Sequence, residues 1–528
     1  MAAEVRQFLS GGRGLTAAVR QARGLLLLPP ALDSAISKFL EEYSSNELKK
    51  NVSRLSFTLR SMRDTGSTKE ESKGELKFDT ETGGSEEARV ALDEFLQSRP
   101  IRKNRVKGDV KAAQETIEYT DKTTAAYVAA RMPAIYGAVH RVLSEVSRRV
   151  PDFKPSRLLD FGSGPGTALW AANEVWPGVV KKVNIVEPSE PMAHACRSLL
   201  KDVQNWPLIK SHPSLLDLTR GDRRAPREHD LVIASYTLGE LPCLEDRISL
   251  ARQLWSYTGD ILVLIEPGTP QGSSTIREIR SHILQMERKK MRKRKQMGAR
   301  LSSNKEVETE KVSGLDSSGT SAKTKSGAFV IAPCSHEGRC PMDGLSTWCH
   351  FVQRLQRTSL QRITKRNSAL PLRAYEDEKF SFIVLRRGLR PSEPWPLDGL
   401  KDAEQSIQTK EPVEYVDYDS SDFTFEGIDA DELTDEDQEA EEISLSEDVE
   451  DEEEREVETS MEADLGSGWA RIVRPPLRRG RHVVLDVCRS VERDGSKGDL
   501  SRLIWTRKGV LARHLKAKKL RWGDLWPC

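Results

Sequence analysis

Long apolar runs are missing from this 528-residue chain. The tetraleucine Leu25 to Leu28, closed by Pro29-Pro30, falls far short of the ~20 residues that span a bilayer, so no membrane span is expected. Cysteine is scarce. Seven in 528 residues cannot form the disulfide framework of a small secreted protein, and a reducing compartment is expected. No Cys-x2-Cys hairpin of the usual zinc-knuckle kind occurs, and no internal repeat points to a solenoid. Charge of one sign is lacking only on average. The net charge is +1, yet residues 411–465 hold 26 Asp and Glu against one basic residue, Arg455. The rest of the chain is therefore strongly basic, the pattern of a polyanion-binding body with an acidic, solvated tract.

What is present begins with Leu158-Leu159-Asp160-Phe161-Gly162-Ser163-Gly164-Pro165-Gly166-Thr167. A buried strand runs into a glycine turn and then a helix. The glycines let the backbone bend tightly and approach a ligand, and the helix N-terminus offers free N–H groups. A dinucleotide fingerprint would need glycine where Thr167 stands. The form G-x-G-x-G after an apolar pair and Asp instead resembles the first motif of S-adenosylmethionine (SAM) methyltransferases. A second strand, Lys182 to Val186, ends at Glu187, placed to accept both hydroxyls of a ribose.

Around this centre, residues 1–31 carry Arg6, Arg13, Arg20 and Arg23 and read as an amphipathic transit peptide, with mitochondrial import favoured over plastid import. Residues 32–150 form a helical region. Within it, the block Thr124 to Val150 is kinked or split at Pro133. From 151 to 390 strands and helices alternate, which predicts an α/β domain with a mostly parallel, doubly wound sheet. Phe380 to Leu385 is expected at its edge. Residues 298–328 read as a flexible insertion, 329–350 as a cysteine loop, and 402–465 as a disordered acidic tract. Residues 466–528 read as a small basic lobe with short β-like runs. A helix is also expected over residues 87–96.

Cys334, Cys340 and Cys349 fall as Cys-x5-Cys-x8-Cys, a clustering that points to thiolate ligation of a soft metal. The wide loops and Cys340-Pro341 suit an iron–sulfur cluster, with zinc the alternative. The fourth ligand lies among Cys488, His336 and His350. Cys488 is preferred because ligation there would pin the basic lobe to the body. Basic residues gather at Arg288 to Lys295 and again over Arg474 to Arg521, the latter interleaved with Trp505, Trp522 and Trp526. Such groups contact phosphates and stack on bases, which points to a nucleic acid as partner.

Two nucleobase-methylating chemistries lack their motifs. Leu241-Pro242-Cys243 stands too far past the fourth strand, and without a preceding Asp, for a cytosine-C5 nucleophile. Ser235-Tyr236-Thr237-Leu238-Gly239-Glu240-Leu241 replaces the Asn-Pro-Pro-Tyr type of motif.

The run Ala126 to Tyr136 (Ala-Tyr-Val-Ala-Ala-Arg-Met-Pro-Ala-Ile-Tyr), the glycine turn and the three clustered cysteines together resemble the mitochondrial small-ribosomal-subunit methyltransferase-like family of ribosomal assembly factors. The resemblance covers roughly residues 100–390 and 466–528. It implies a Rossmann-like SAM-dependent methyltransferase fold, with Asp160, Gly162, Ser163, Gly164, Gly166 and Glu187 lining a SAM site. It implies a four-cysteine iron–sulfur cluster, of the 4Fe-4S type, on Cys334, Cys340, Cys349 and Cys488. It also implies a role in the mitochondrial matrix in assembling the small subunit on its ribosomal RNA and ribosomal proteins, as a monomer outside the ribosome. The alternatives are an active rRNA methyltransferase, in which Glu240 or Tyr236 positions the acceptor, and an acidic-tract chaperone for basic ribosomal proteins.

Overall fold

The computed structural model describes residues 21, 24–65, 117–203, 206–220, 229–305, 326–365, 373–391, 415–416, 469–479, 482–492, 494–506 and 511–527. One compact unit comprises Met1–Leu55 with Tyr119–Cys528, and a second comprises Ser56–Glu118. The helix expected over 87–96 and most of the acidic tract lie outside the described residues, as do residues 1–20 and 306–325.

Helices α1 (Pro30–Leu40) and α2 (Ser45–Thr65) open the described chain. The block read as one kinked helix is two, α3 (Asp121–Ala130) and α4 (Met132–Arg149). They separate at Arg131 because Pro133 has no N–H to give and its ring would strike the carbonyl four residues back. Thr120 caps α3 by accepting from the Thr123 N–H.

The body then runs β1 (Arg157–Phe161), α5 (Thr167–Val175), β2 (Lys182–Val186), α6 (Glu190–Leu200), β3 (Leu208–His212), α7 (Leu215–Arg220), β4 (His229–Ser235), α8 (Leu244–Tyr257), β5 (Thr258–Pro267) and α9 (Pro270–Lys305). After residue 326 come β6 (Ala328–Ala332), β7 (Phe351–Gln356), α10 (Ser359–Thr364) and β8 (Tyr375–Arg387). The sheet order is β3-β2-β1-β4-β5-β8-β6, with β7 also on β8. The first five strands are parallel and β8 is antiparallel to β5. The chain therefore reverses direction across the sheet between β1 and β4, where a doubly wound fold places its ligand. This is the expected Rossmann-like methyltransferase fold.

β8 is not the edge strand that its apolar run led us to expect. Its second half lies between β5 and β6, and its first half pairs with β7. Leu159, Val232, Leu262 and Leu264 pack with Leu254, Trp255, Ile279 and Ile283 of α8 and α9. The residues alternating with them, Leu158, Ile233 and Val263, are just as buried, as a sheet covered on both faces requires. Among the described residues no helix is long and apolar enough to cross a membrane.

The expected insertion 298–328 is shorter than read, because α9 continues to Lys305 and β6 starts at Ala328. Likewise, residues read as the end of a leader belong to the folded body. The Gln21 N–H donates to Asp524 Oδ1 at 2.8 Å, and Leu26 exchanges 2.9 Å backbone bonds with Arg354 and Gln356 beside β7.

The basic lobe is a second sheet, made of β9 (Tyr415–Val416), β10 (Trp469–Ile472), β11 (Leu477–Arg479), β12 (His482–Ser490), β13 (Gly498–Thr506) and β14 (Leu525–Pro527), with α11 (Leu511–Lys519) beside it. Its core holds Trp469, Val483, Leu485, Leu503, Trp505 and Trp526. Arg471 fastens it to the body. This guanidinium is buried, pairs with Glu145 of α4, and donates to Pro333 O at 3.0 Å and Gly523 O at 2.7 Å.

Candidate functional site

The carboxyl ends of β1, β2, β4 and β5 meet over the glycine turn. Gly162, Gly164 and Gly166 take φ of +64°, +51° and +81°, which L side chains rarely adopt. Two of the three have a further reason to be glycine. A Cβ at Gly162 would stand 2.4 Å from Thr237 Oγ1, and one at Gly166 would stand 2.7 Å from Cys196 Sγ. At Gly164 a Cβ would enter open space, so sterics inside the protein do not demand glycine there. The Gly164 N–H donates to Glu187 Oε2 at 2.7 Å, and the Ser189 N–H donates to Glu187 Oε1 at 2.9 Å. The acid read from β2 is thus clamped beside the turn.

Asp160 is 1 % exposed, and neither carboxylate oxygen has a partner. Burial, and then Glu187 nearby, push its carboxyl up to about 7. Ser163 Oγ is buried and unpartnered too. Buried polar atoms are normally satisfied, so these orphans at a glycine turn mark places for a ligand's donors. Every residue predicted for the cofactor site is brought together here.

The turn after β4 adds groups that sequence reading did not combine. Tyr236, at the β4 tip, holds a left-handed φ of +58°, a strain of about 1 kcal/mol for a non-glycine residue. Its hydroxyl donates to Glu378 Oε1 at 2.9 Å, and Arg131 grips the same carboxylate with two bonds of 3.0 and 2.9 Å. The segment Leu238–Glu240 forms one 3-10 turn, anchored because the Leu238 and Gly239 N–H groups donate to Glu266. Burial pushes that anchoring carboxyl up to about 7. Tyr119 donates to Glu240 Oε1 at 2.8 Å. Burial raises the Glu240 pKa, with Glu187 acting in the same direction. Tyr119 and Glu266 have no local sequence signal, because their roles are purely tertiary.

The second constellation forms where the body meets the lobe. Cys349 is held by its carbonyl, which accepts from Ser273 at 3.1 Å and Ser381 at 2.8 Å. Cys488 sits on β12, flanked by Arg471 and Leu500 in the ladder. Burial pushes the Cys349 thiol well up, with Cys334 and Cys340 adding to it, and Cys488 is raised by burial and by all three other thiols. The four predicted sulfurs are therefore mutual electrostatic neighbours, in an apolar setting of Met342, Val473 and Leu500. Arg280 opposes the rise at Cys340, Cys349 and Cys488.

Of the other proposed fourth ligands, His350 packs edge-on to Trp522 at 4.5 Å. His336 places Nε2 3.4 Å from Cys488 Sγ. Among the described residues no three His, Cys, Asp or Glu side chains are arranged to hold a single metal ion.

The basic surfaces divide. Arg288, Lys289, Lys290, Arg292, Lys293 and Arg294 of α9 are exposed, as are Lys516, Lys518, Lys519 and Arg521. The expected stacking aromatics are not available as read. Trp505 and Trp526 lie in the lobe core with ring centroids 5.2 Å apart, and Trp522 packs on His350.

Fold and glycine turn together define a methyltransferase-like α/β protein. The family model "Mitochondrial small ribosomal subunit Rsm22" matches residues 121–293, 320–397 and 429–527, more than half of the chain, and the chain belongs to that family. It is 30% identical over 287 residues to the human "Ribosome assembly protein METTL17, mitochondrial", covering 53% of each chain. It is 24% identical over 462 residues to the Saccharomyces cerevisiae "Ribosome assembly protein RSM22, mitochondrial", covering 76% of this chain and 66% of the other. It is 27% identical over 428 residues to the Schizosaccharomyces pombe "Rsm22-cox11 tandem protein 2, mitochondrial", covering 78% of this chain and 44% of the other. The chain spans about half the length of the human and fission-yeast relatives. Among solved structures, a putative RNA methyltransferase from Pyrococcus horikoshii aligns at TM-score 0.26 and 10% identity, covering 47% of this chain and 83% of the other. So low a score carries no weight, and the fold assignment rests on the strand order.

Proposed function

We propose that this chain is a mitochondrial ribosome-assembly protein that binds SAM at the glycine turn and an iron–sulfur cluster at the seam between body and lobe. The observation that carries this is the meeting of Cys334, Cys340 and Cys349 from the body with Cys488 from the lobe. A cluster held there would staple the lobe in place, since ligation energy in such a site is folding energy. The protein's part is to supply four thiols, Cys488 buried and Cys334, Cys340 and Cys349 half-buried, with Arg280 as a compensating cation. The exposed basic faces of α9 and α11 then offer a surface to small-subunit ribosomal RNA and its proteins in the matrix.

Anaerobic purification should yield a brown protein with broad visible absorbance, lost in Cys334→Ser together with part of the thermal stability. A colourless preparation holding only zinc would overturn the cluster. For the RNA, ultraviolet crosslinking should map to α9 and α11, and Arg292→Ala with Lys293→Ala should flatten the salt dependence of binding by about two phosphate contacts.

At the glycine turn, Glu187 is set to take ribose hydroxyls, while Asp160 and Ser163 are set to take a cationic or polar donor. SAM, when bound, would supply an electrophilic methyl group. A second role, methyl transfer to rRNA, draws support from the strained Tyr236 at the β4 tip and from Glu240, which Tyr119 holds in the turn that follows. Transfer of tritiated methyl to small-subunit rRNA, abolished by Gly162→Arg, would establish it; no label above background would leave SAM as a bound ligand only.

A further inference from the structure

Cys488 is the one thiol of the four that comes from the lobe, and a side chain of the body reaches across to it. His336, between Cys334 and Cys340 in sequence, is fully buried and sets Nε2 3.4 Å from Cys488 Sγ. The contact is built from both sides. Arg280 of α9 donates to the His336 carbonyl at 2.7 Å and to the Gly338 carbonyl at 2.9 Å, which fixes the backbone on either side of Glu337. The Glu337 N–H donates to the Gly495 carbonyl at 2.7 Å, and Arg390 donates to Glu337 Oε1 at 2.8 Å. The loop is thereby tied to the turn between β12 and β13. On the lobe side, the imidazole lies against Gly498, at the start of β13. A Cβ there would overlap Cε1, Nδ1 and Nε2 of His336, while the Gly498 backbone is not left-handed, so the ring itself demands glycine. Cys488 pairs with Leu500 two residues further along the same strand.

The direction of the bond follows from its neighbours. Arg280 Nη2 stands 3.5 Å from His336 Nδ1. A guanidinium can only donate, so Nδ1 presents its lone pair and the ring proton sits on Nε2. A metal-bound cysteine is a thiolate, which can only accept. Both ends therefore require Nε2–H to point at Sγ. Among the described residues no three His, Cys, Asp or Glu side chains are arranged around one ion, which leaves the pair as donor and acceptor and not as two ligands of a single metal.

Resting on the thiol site as the holder of a metal group, we infer that His336 is a positioning residue for that group: its Nε2–H bonds the Cys488 thiolate across the seam, holds that sulfur in place and offsets its charge. It thereby sets how firmly the group is retained and, for an iron–sulfur cluster, its reduction potential. His336 is then not the fourth ligand but the residue that serves it. Outer-shell partners of metal ligands govern about 10- to 100-fold in affinity, and hydrogen bonds to the sulfurs are among the levers that set a cluster's potential. Because donor and acceptor come from different parts of the fold, the bond exists only while the lobe is seated on the body, and retention of the group is tied to that seating.

Full-length protein purified without oxygen, with its metal bound, tests this by release to a colorimetric chelator of iron or zinc. His336→Leu should release about tenfold faster or more. His336→Gln, whose amide nitrogen can donate over a similar reach, should return to within about threefold of the wild type. Gly498→Ala keeps His336 and every cysteine but displaces the ring, and should release about as fast as His336→Leu. In iron-loaded protein the midpoint potential should fall in His336→Leu and in Gly498→Ala, because the more negative, reduced cluster gains most from the bond, and should recover in His336→Gln. Circular dichroism of the loaded proteins checks that each keeps its fold. Equal release from loaded wild type and His336→Leu, or equal acceleration in His336→Leu and His336→Gln, would overturn the inference and leave the metal site standing. A wild-type protein holding neither iron nor zinc would instead remove that site, and this inference with it.

Discussion

Asp160 gives the sharpest test of the cradle. Its carboxyl stands at about 7, against an ordinary value of 3.8, because burial and then Glu187 disfavour the charge. The folded protein thus holds this proton more tightly than the unfolded chain. For a carboxyl raised in this way, stability is fully present below the unfolded value and is lost as pH climbs toward the folded one. Between pH 5 and pH 7 that loss spans two pH units, or about 3 kcal/mol at 1.36 kcal/mol per unit, and it is complete by pH 8. The group is 1 % exposed, so no solvent discount applies. Asp160→Asn keeps the volume and the unpartnered polar atoms but removes the titration. Its ligand-free stability relative to wild type should therefore rise by about 3 kcal/mol from pH 5 to pH 8. Urea denaturation of both proteins at the two pH values measures this. SAM should reverse the order at pH 8, stabilising the wild type and not the variant. Parallel stability–pH curves for the two proteins would refute the reasoning.

Gly164→Ala should fold with a loss of about 1 kcal/mol from its positive φ alone, yet bind SAM poorly, because the new methyl group enters open cradle space. Gly162→Ala, meeting Thr237 at 2.4 Å, should lose clearly more stability, which thermal melts would separate. Arg471→Leu should cost about 3–5 kcal/mol by leaving Glu145 buried without its main partner. Adding Glu145→Gln should recover part of that, and a denaturation double-mutant cycle measures the coupling. Arg471 and Arg149 overcome the burial that would raise the Glu145 pKa and hold it below its ordinary value, so acid should weaken the lobe attachment as pH falls through the carboxylate range. Limited proteolysis of the lobe against pH would show it.

Local chemistry was legible and tertiary chemistry was not. The strand, glycine turn and terminal acid of β1 and β2 lie within thirty or so residues and follow a chain order that only a few ligands require. The split at Arg131 followed from the proline. By contrast β3 escaped notice, because Leu208–His212 is a half-exposed strand at one edge of the sheet and carries no continuous apolar run. β6 was hidden inside residues read as insertion and loop. β8 is as apolar as an inner strand, but nothing local says which strands flank it. The tryptophans of the lobe were misread for a related reason. Basic neighbours in sequence suggest a wet surface, while alternation along β13 and β14 turns Trp505 and Trp526 inward. Cys488 was legible only as the thiol whose ligation would join two pieces of chain.

The two candidate sites share structural members. Glu266, near the end of β5, anchors the turn that carries Glu240. Two residues on, the Gly268 carbonyl accepts from Trp348 Nε1 at 3.0 Å, and Trp348 adjoins Cys349. Cys349 in turn is tied to α9 through Ser273 and to β8 through Ser381. One strand therefore supports the cofactor rim on one side and the thiol loop on the other. Contiguity of this kind supplies a route for coupling but does not measure it. Reciprocity supplies the measure. Whatever factor the filled thiol site imposes on SAM affinity, SAM must impose on retention at the thiol site. Where either ligand orders the end of β5, that factor differs from one, because each ligand then orders backbone that the other also needs ordered.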